Sequence, residues 1–225
     1  MPSNSVTLAV GPERHERGVM TIIYLIRHAE NDYLGKRLAG WHPGVHLNER
    51  GAAQAEALAE RLSGIRFKAI YASPLERTME TATPIAQRLS LQVIPRPALG
   101  EVHYGRWQGQ TLKALRRRKL WPIVIHSPSL AKFPEGESFN ETQARIVTEL
   151  ESLRVKHKHP KSRIICVSHA DTIKLAVAHY LGLPLDLFQR LTVEPASISV
   201  LSIGRGHTRL IRLNDTHATR LPSVR

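Results

Sequence analysis

The sequence predicts an α/β fold built on a mostly parallel sheet. Three observations carry this. Short apolar runs alternate with longer amphipathic segments from Thr21 to Ile203. One run, "SRIICVS", has little polar relief, as in a strand covered on both faces. The helical segments carry their own start and stop signals, such as Asn48, Pro74 and Gly182.

Residues 1–19 mix Pro, Ser, Gly and charge without a period and are expected to be a flexible N-terminal extension. "MTIIYLIRH" then opens the ordered domain, expected over residues 20–213, with 214–225 as a tail. "TIIYLIR" is β-rich. "LNERGAAQAEALAERL" reads as a helix capped by Asn48, with Ala53, Ala57, Leu58 and Leu62 on its inner stripe. "FKAIYAS" is a second strand. "SPLERTMETATPIAQRL" is a helix with Ser73 as cap, Pro74 at its first position and Pro84 inside it, where it should kink the helix or cost stability. "LQVIP" is a third strand, "SFNETQARIVTELESLRVKH" a long helix and "SRIICVS" a fourth strand. "ADTIKLAVAHYLG" is a helix stopped by Gly182. "SISVLSI" and "HTRLIRL" form a closing hairpin around Gly204 and Gly206. Residues 103–137 fit the pattern least and are expected to be an excursion over the sheet that bears on specificity.

Composition narrows the class. The 225 residues suffice for one core. No apolar run reaches about 18 residues, so no membrane helix is expected. "VTLAVG" is too short for a signal-peptide core. The single cysteine, Cys166, lies in an apolar run and reads as core packing. Its solitude fits a reducing cytoplasm, the expected location. The net charge of +13 admits nucleic acid, an anionic surface or small anionic substrates. The basic residues are scattered and not interleaved with aromatics, which disfavours nucleic acid as the partner.

In open α/β sheets, ligands bind beyond the carboxyl ends of the strands. Arg27 and His28 follow the first strand. Arg77 comes one turn into the helix after the second, Glu101 after the third, and Ser168 and His169 close the fourth. Two guanidiniums match phosphate oxygens, an imidazole can attack, and a carboxyl can exchange a proton. The cations would help keep His28 neutral near pH 7. Phosphoryl transfer needs little beyond such positioning and charge neutralisation.

"LIRHAEN", "SPLERTMETA", "LGEVHYGRWQG" and "VSHADTIK" resemble, in order and spacing, the motifs of the histidine phosphatase superfamily, also called phosphoglycerate mutase-like. The resemblance implies a three-layer α/β/α sandwich and no metal or other cofactor. It assigns His28 as the phosphorylated nucleophile, Arg27, Arg77 and His169 to the phosphate pocket, and Glu101 as proton donor. Asn31, Gly40 and Ala170 are expected to contact substrate. The spelling departs from the commonest one at Ala29, Asn31, Leu34, Ala39 and Ala170. A short connection between the glutamate motif and "FPEGESFNE" favours phosphatase over cofactor-dependent phosphoglycerate mutase. The substrate is expected to be a small phosphomonoester, for which Lys36, Arg37, His103, Arg106 and Lys113 are candidate contacts. The rivals are a basic nucleic-acid-binding protein, a non-catalytic scaffold, and a zinc enzyme suggested by 12 histidines and by "HPGVH".

Overall fold

The structure is a computed structural model that describes residues 20–159 and 162–216. The extension at 1–19 and most of the tail expected after 213 lie outside the described residues. Six strands form one sheet: β1 (Thr21–Arg27), β2 (Ala69–Ala72), β3 (Val93–Pro95), β4 (Ser162–Ser168), β5 (Ile198–Ile203) and β6 (Thr208–Asp215). Their order is β3-β2-β4-β1-β5-β6. β3, β2, β4 and β1 pair in parallel, and β5 is antiparallel to both neighbours. β6 runs through Asp215, past the expected domain boundary at 213.

Helices α1 (Glu49–Leu62) and α2 (Glu76–Leu89) cover one face. Leu58, Leu62, Ile85 and Ala86 there meet Ile26, Ile70 and Val167. Two short helices follow, α3 (Leu112–Leu115) and α4 (Trp121–His126), and then α5 (Phe139–Lys156) and α6 (Ala170–Leu181) cover the other face. On that face Ile146, Leu150 and Leu153 of α5 and Ile173 and Val177 of α6 pack on Ile23, Leu25 and Cys166. The result is the expected three-layer sandwich. β1 and β4, apolar on both sides, lie at its centre because neither strand offers a polar face to water.

Local details correct the sequence reading. Asn48 caps α1 as expected, accepting from the Gly51 amide at 2.8 Å. The inner stripe of α1 is Gly51, Ala55, Leu58, Ala59 and Leu62, whereas Ala53 and Ala57 are exposed. The two leucines set the rotation, and small alanines cannot compete with them for the core. Ser73 does not cap α2, which starts at Glu76 with Leu75 as its uncapped boundary. Pro84 lies inside α2, as expected, and the helix continues to Leu89. The 103–137 excursion carries its own small core, in which Trp107, Leu115, Val124 and Phe133 are buried against Phe139 and Phe188.

Parallel pairing brings the loops after β1, β2, β3 and β4 to one edge. The register sets Arg27 opposite Ser168, so His28 and His169 leave adjacent strands side by side.

Candidate active site

The His28 amide donates to the Ser168 carbonyl at 2.9 Å, and the two imidazole centroids are 5.2 Å apart. His28 Nδ1 lies 2.8 Å from the Ala29 carbonyl oxygen. A carbonyl only accepts, so Nδ1 carries the proton and Nε2 keeps its lone pair. Burial first, then Arg77 and Arg27, pulls the His28 pKa well below the ordinary imidazole value. The ring is therefore a neutral base with one fixed tautomer. Thr81 holds this turn by accepting from the Ala29 amide at 3.0 Å.

Arg77 is 1% exposed. Its Nη2 donates to the Gly40 carbonyl at 2.7 Å and to His169 Nδ1 at 3.2 Å. Among the described residues, its Nε and Nη1 have no partner, nor has Nε of Arg27, whose Nη1 donates to the Val193 carbonyl at 2.7 Å. Buried guanidinium N–H groups left unpaired cost several kcal/mol unless an anion meets them. Both arginines line one cavity of about 170 Å³ together with His28, Asn31, Gly40, Glu101 and Ala170.

His169 lies behind this cavity rather than in its wall. It is fully buried, with Nε2 2.9 Å from Ser73 Oγ and Nδ1 facing Arg77. Arg77 can only donate, so Nδ1 accepts and Nε2 carries the proton. Ser73 Oγ also accepts from the Leu75 amide at 3.4 Å, but it stands ahead of the Leu75 boundary of α2 and so does not cap the helix.

Glu101 is 9% exposed, and its Oε1 accepts from the Val102 amide at 3.1 Å and Thr172 Oγ1 at 3.2 Å. Burial and the nearby Asp171 carboxylate raise its pKa to about 7, against the opposing pull of Arg77 and Arg27. A carboxyl protonated near neutral pH suits proton donation. The loop bearing it is held from below by Arg145, which donates to the carbonyls of Ala98, Gly100 and Glu101. From the side, Trp41 Nε1 donates to the Glu101 carbonyl at 2.6 Å.

Asn31 is buried, with Oδ1 accepting from the Tyr33 amide at 3.0 Å. Ala170 opens α6, where the helix dipole favours an anion. Gly40 adopts φ +52°, and a Cβ there would come within 2.8 Å of the Gln108 side chain. Glycine is favoured in this conformation, and its carbonyl accepts from Arg77.

Of the candidate substrate contacts, only Arg37 lines the cavity. His103 stacks on Trp41 at 4.2 Å, and Arg106 pairs with Glu135. Among the described residues no group of three or more His, Cys, Asp or Glu is placed to hold a metal. His42 and His46 of "HPGVH" turn to Tyr33 and Glu80. Cys166 is fully buried, and burial pushes its thiol pKa up, so it packs and does not react.

The sequence reading missed Tyr104, Asp171 and Ser73. Tyr104 and Asp171 were legible only as neighbours of motif residues. Tyr104 Oη donates to Asp171 Oδ2 at 2.8 Å, and both line the cavity.

The model of the histidine phosphatase superfamily, branch 1, matches residues 23–216. The chain belongs to that superfamily. It is thus an enzyme of the histidine phosphatase type, a phosphoric monoester hydrolase. It is 30% identical over 205 residues to phosphoserine phosphatase 1 of Hydrogenobacter thermophilus, covering 88% of this chain and 93% of the relative. It is also 30% identical over 182 residues to a probable phosphoglycerate mutase of Photorhabdus laumondii, covering 80% of this chain and 84% of that one. A solved mycobacterial glucosyl-3-phosphoglycerate phosphatase superposes with a TM-score of 0.79 at 26% identity, covering 87% of this chain and 99% of that one. Histidine phosphatase relatives thus span two activities and different leaving groups. No helix among the described residues is long and apolar enough to cross a membrane.

Proposed function

We propose that the protein hydrolyses a small phosphomonoester through a phosphohistidine on His28, without a metal. The observation that carries this reading is the set of buried, unpartnered guanidinium N–H groups of Arg27 and Arg77 in the cavity that His28 lines. Those donors match the oxygens of a phosphoryl dianion.

His28 Nε2 attacks phosphorus in line, forming the N–P bond as the P–O ester bond breaks. Glu101 gives its proton to the departing oxygen. The positive charge that develops on the imidazole is shared with the Ala29 carbonyl through Nδ1–H. Arg27 and Arg77 hold the equatorial oxygens, where charge stabilisation is the main catalytic term for this chemistry. His169 acts through Arg77, fixing its guanidinium. In the second half, water attacks phosphorus, the Glu101 carboxylate takes its proton, and the N–P bond breaks to release orthophosphate.

The reading is supported by the family and by phosphatases among the relatives. The test is hydrolysis of p-nitrophenyl phosphate with chelator present, wild type beside His28→Ala. The expected result is turnover by wild type and an acid-labile phosphoenzyme when it is quenched, both lost in the variant. Equal rates in the two proteins would overturn the reading.

A further inference from the structure

We propose that the preferred leaving group is an aromatic or otherwise apolar alcohol, held in a second chamber that adjoins the phosphate cavity. The proposal rests on the phosphatase reading above and names the substrate class of that same site.

The chamber has a volume of about 170 Å³ and is walled by Trp107, Trp121, Val124, Ile125 and Phe133. Leu38, Tyr104 and Asp171 line both spaces, so the two share a wall. Tyr104 is the hinge of this arrangement. Its ring packs edge-on against Phe133 with centroids 4.9 Å apart, and its hydroxyl reaches Asp171. In the proposed complex the ester oxygen sits near Glu101 and its carbon substituent passes Tyr104 to reach the aromatic walls.

Protein interiors are close-packed, and a space of this size lined by aromatic and aliphatic side chains suits an apolar guest. The polar census agrees. Among the described residues no lysine or arginine lines the chamber, whose polar members are Tyr104, Asp171 and Gln189. A substrate carboxylate entering it would meet the Asp171 carboxylate instead of a cation. Beyond Arg27 and Arg77, the phosphate cavity offers one cation among the described residues, Arg37. Its Nη1 already donates to the Gly109 carbonyl at 2.8 Å, and its guanidinium lies over the Tyr33 ring.

The test compares two alkyl esters of similar leaving-group acidity, 2-phenylethyl phosphate and 3-phosphoglycerate. The full chain is expected to hydrolyse the first with kcat/KM at least about tenfold higher. Val124→Phe and the half-buried Ile125→Trp fill the chamber. Each should lower kcat/KM for the phenylethyl ester about tenfold and leave 3-phosphoglycerate within about twofold. Equal or reversed preference in wild type, or parallel loss of both substrates in variants that melt like wild type, would overturn the proposal. Should both variants unfold, wild type alone decides. Its turnover of p-nitrophenyl phosphate should be inhibited by 2-phenylethanol and not by ethanol at the same concentration, and equal effects reject the chamber. No turnover of any ester above the His28→Ala background is a separate result, which rejects the phosphatase reading itself.

Discussion

Arg77 Nη2 donates to Nδ1 of His169 across 3.2 Å, with both side chains buried. The histidine thus serves as an acceptor that sets where the guanidinium points. His169→Ala should lower kcat about 100-fold, the scale for losing one aligned charge contact in a transition state. His169→Asn places an amide oxygen near the Nδ1 position and should recover a large part of that loss. Steady-state kinetics on p-nitrophenyl phosphate measures both. If the asparagine variant is as slow as the alanine variant, the imidazole itself touches the phosphoryl group.

The pH profile should be set by an unusual order of ionisations. His28 must be neutral to attack, and its pKa lies well below the ordinary value of 6.5, so the enzyme-borne acid limb falls below that pH. Glu101 must be protonated to donate, and its pKa is raised to about 7. The first half-reaction should therefore slow as pH rises through about 7, read by rapid-quench measurement of phosphoenzyme formation. The same shift bears on stability. A carboxyl whose folded pKa is raised favours the fold below 4.5 and loses that advantage as pH climbs through about 7. Glu101→Gln should abolish both dependences.

Asp171 is the second cause, after burial, of the raised Glu101 pKa. Asp171→Asn removes the charge and keeps an oxygen for the Tyr104 hydroxyl. The alkaline limb should then move to lower pH, toward the ordinary carboxylate value, while the acid limb stays in place. An unmoved alkaline limb in the same rapid-quench profile would show that Asp171 does not tune the acid.

Most of the fold was legible because its signals are local and repeated. "SRIICVS" read as a strand covered on both faces and is one, and the pairing of Arg27 with Ser168 follows from its parallel alignment with β1. The site residues were legible because parallel strands deliver their carboxyl ends to one edge. What stayed hidden depends on contacts between segments far apart in the chain. Ser73 looks like a helix cap in sequence, and only the arrival of His169, 96 residues away, shows its hydroxyl serving an imidazole as well as the local Leu75 amide. Tyr104 and Asp171 lie within the motifs but 67 residues apart, and nothing in the sequence pairs them. The stripe of α1 was misjudged because alanines give no strong directional signal, and Leu58 and Leu62 outweigh them.

Arg145 shows how far the acid's position depends on a residue outside the cavity. Its guanidinium forks onto Glu137, with Nε to Oε1 at 2.9 Å and Nη2 to Oε2 at 2.8 Å. The same group donates to the carbonyls of Ala98, Gly100 and Glu101, while Glu137 also accepts from the His103 amide at 3.0 Å. The pair therefore brackets the Glu101 loop. Burial pushes the Glu137 pKa up, but the bonds from Arg145, His103 and Thr142 outweigh it and hold the carboxyl below its ordinary value. Arg145→Ala leaves that carboxylate and the loop carbonyls short of donors and should cost about 2 kcal/mol at neutral pH by urea denaturation. A depressed carboxylate pKa gives stability that is present above the unfolded value of 4.5 and fades as pH falls through the folded one. The gap between wild type and variant should accordingly shrink at acid pH. Among folded molecules, kcat should fall more than KM rises, because the loop places the proton donor and Arg27 and Arg77 still hold the phosphate. Arg145→Lys supplies charge without the planar fork and should restore stability better than kcat. A variant with wild-type kcat and wild-type midpoint would show that the loop holds its shape without the clamp.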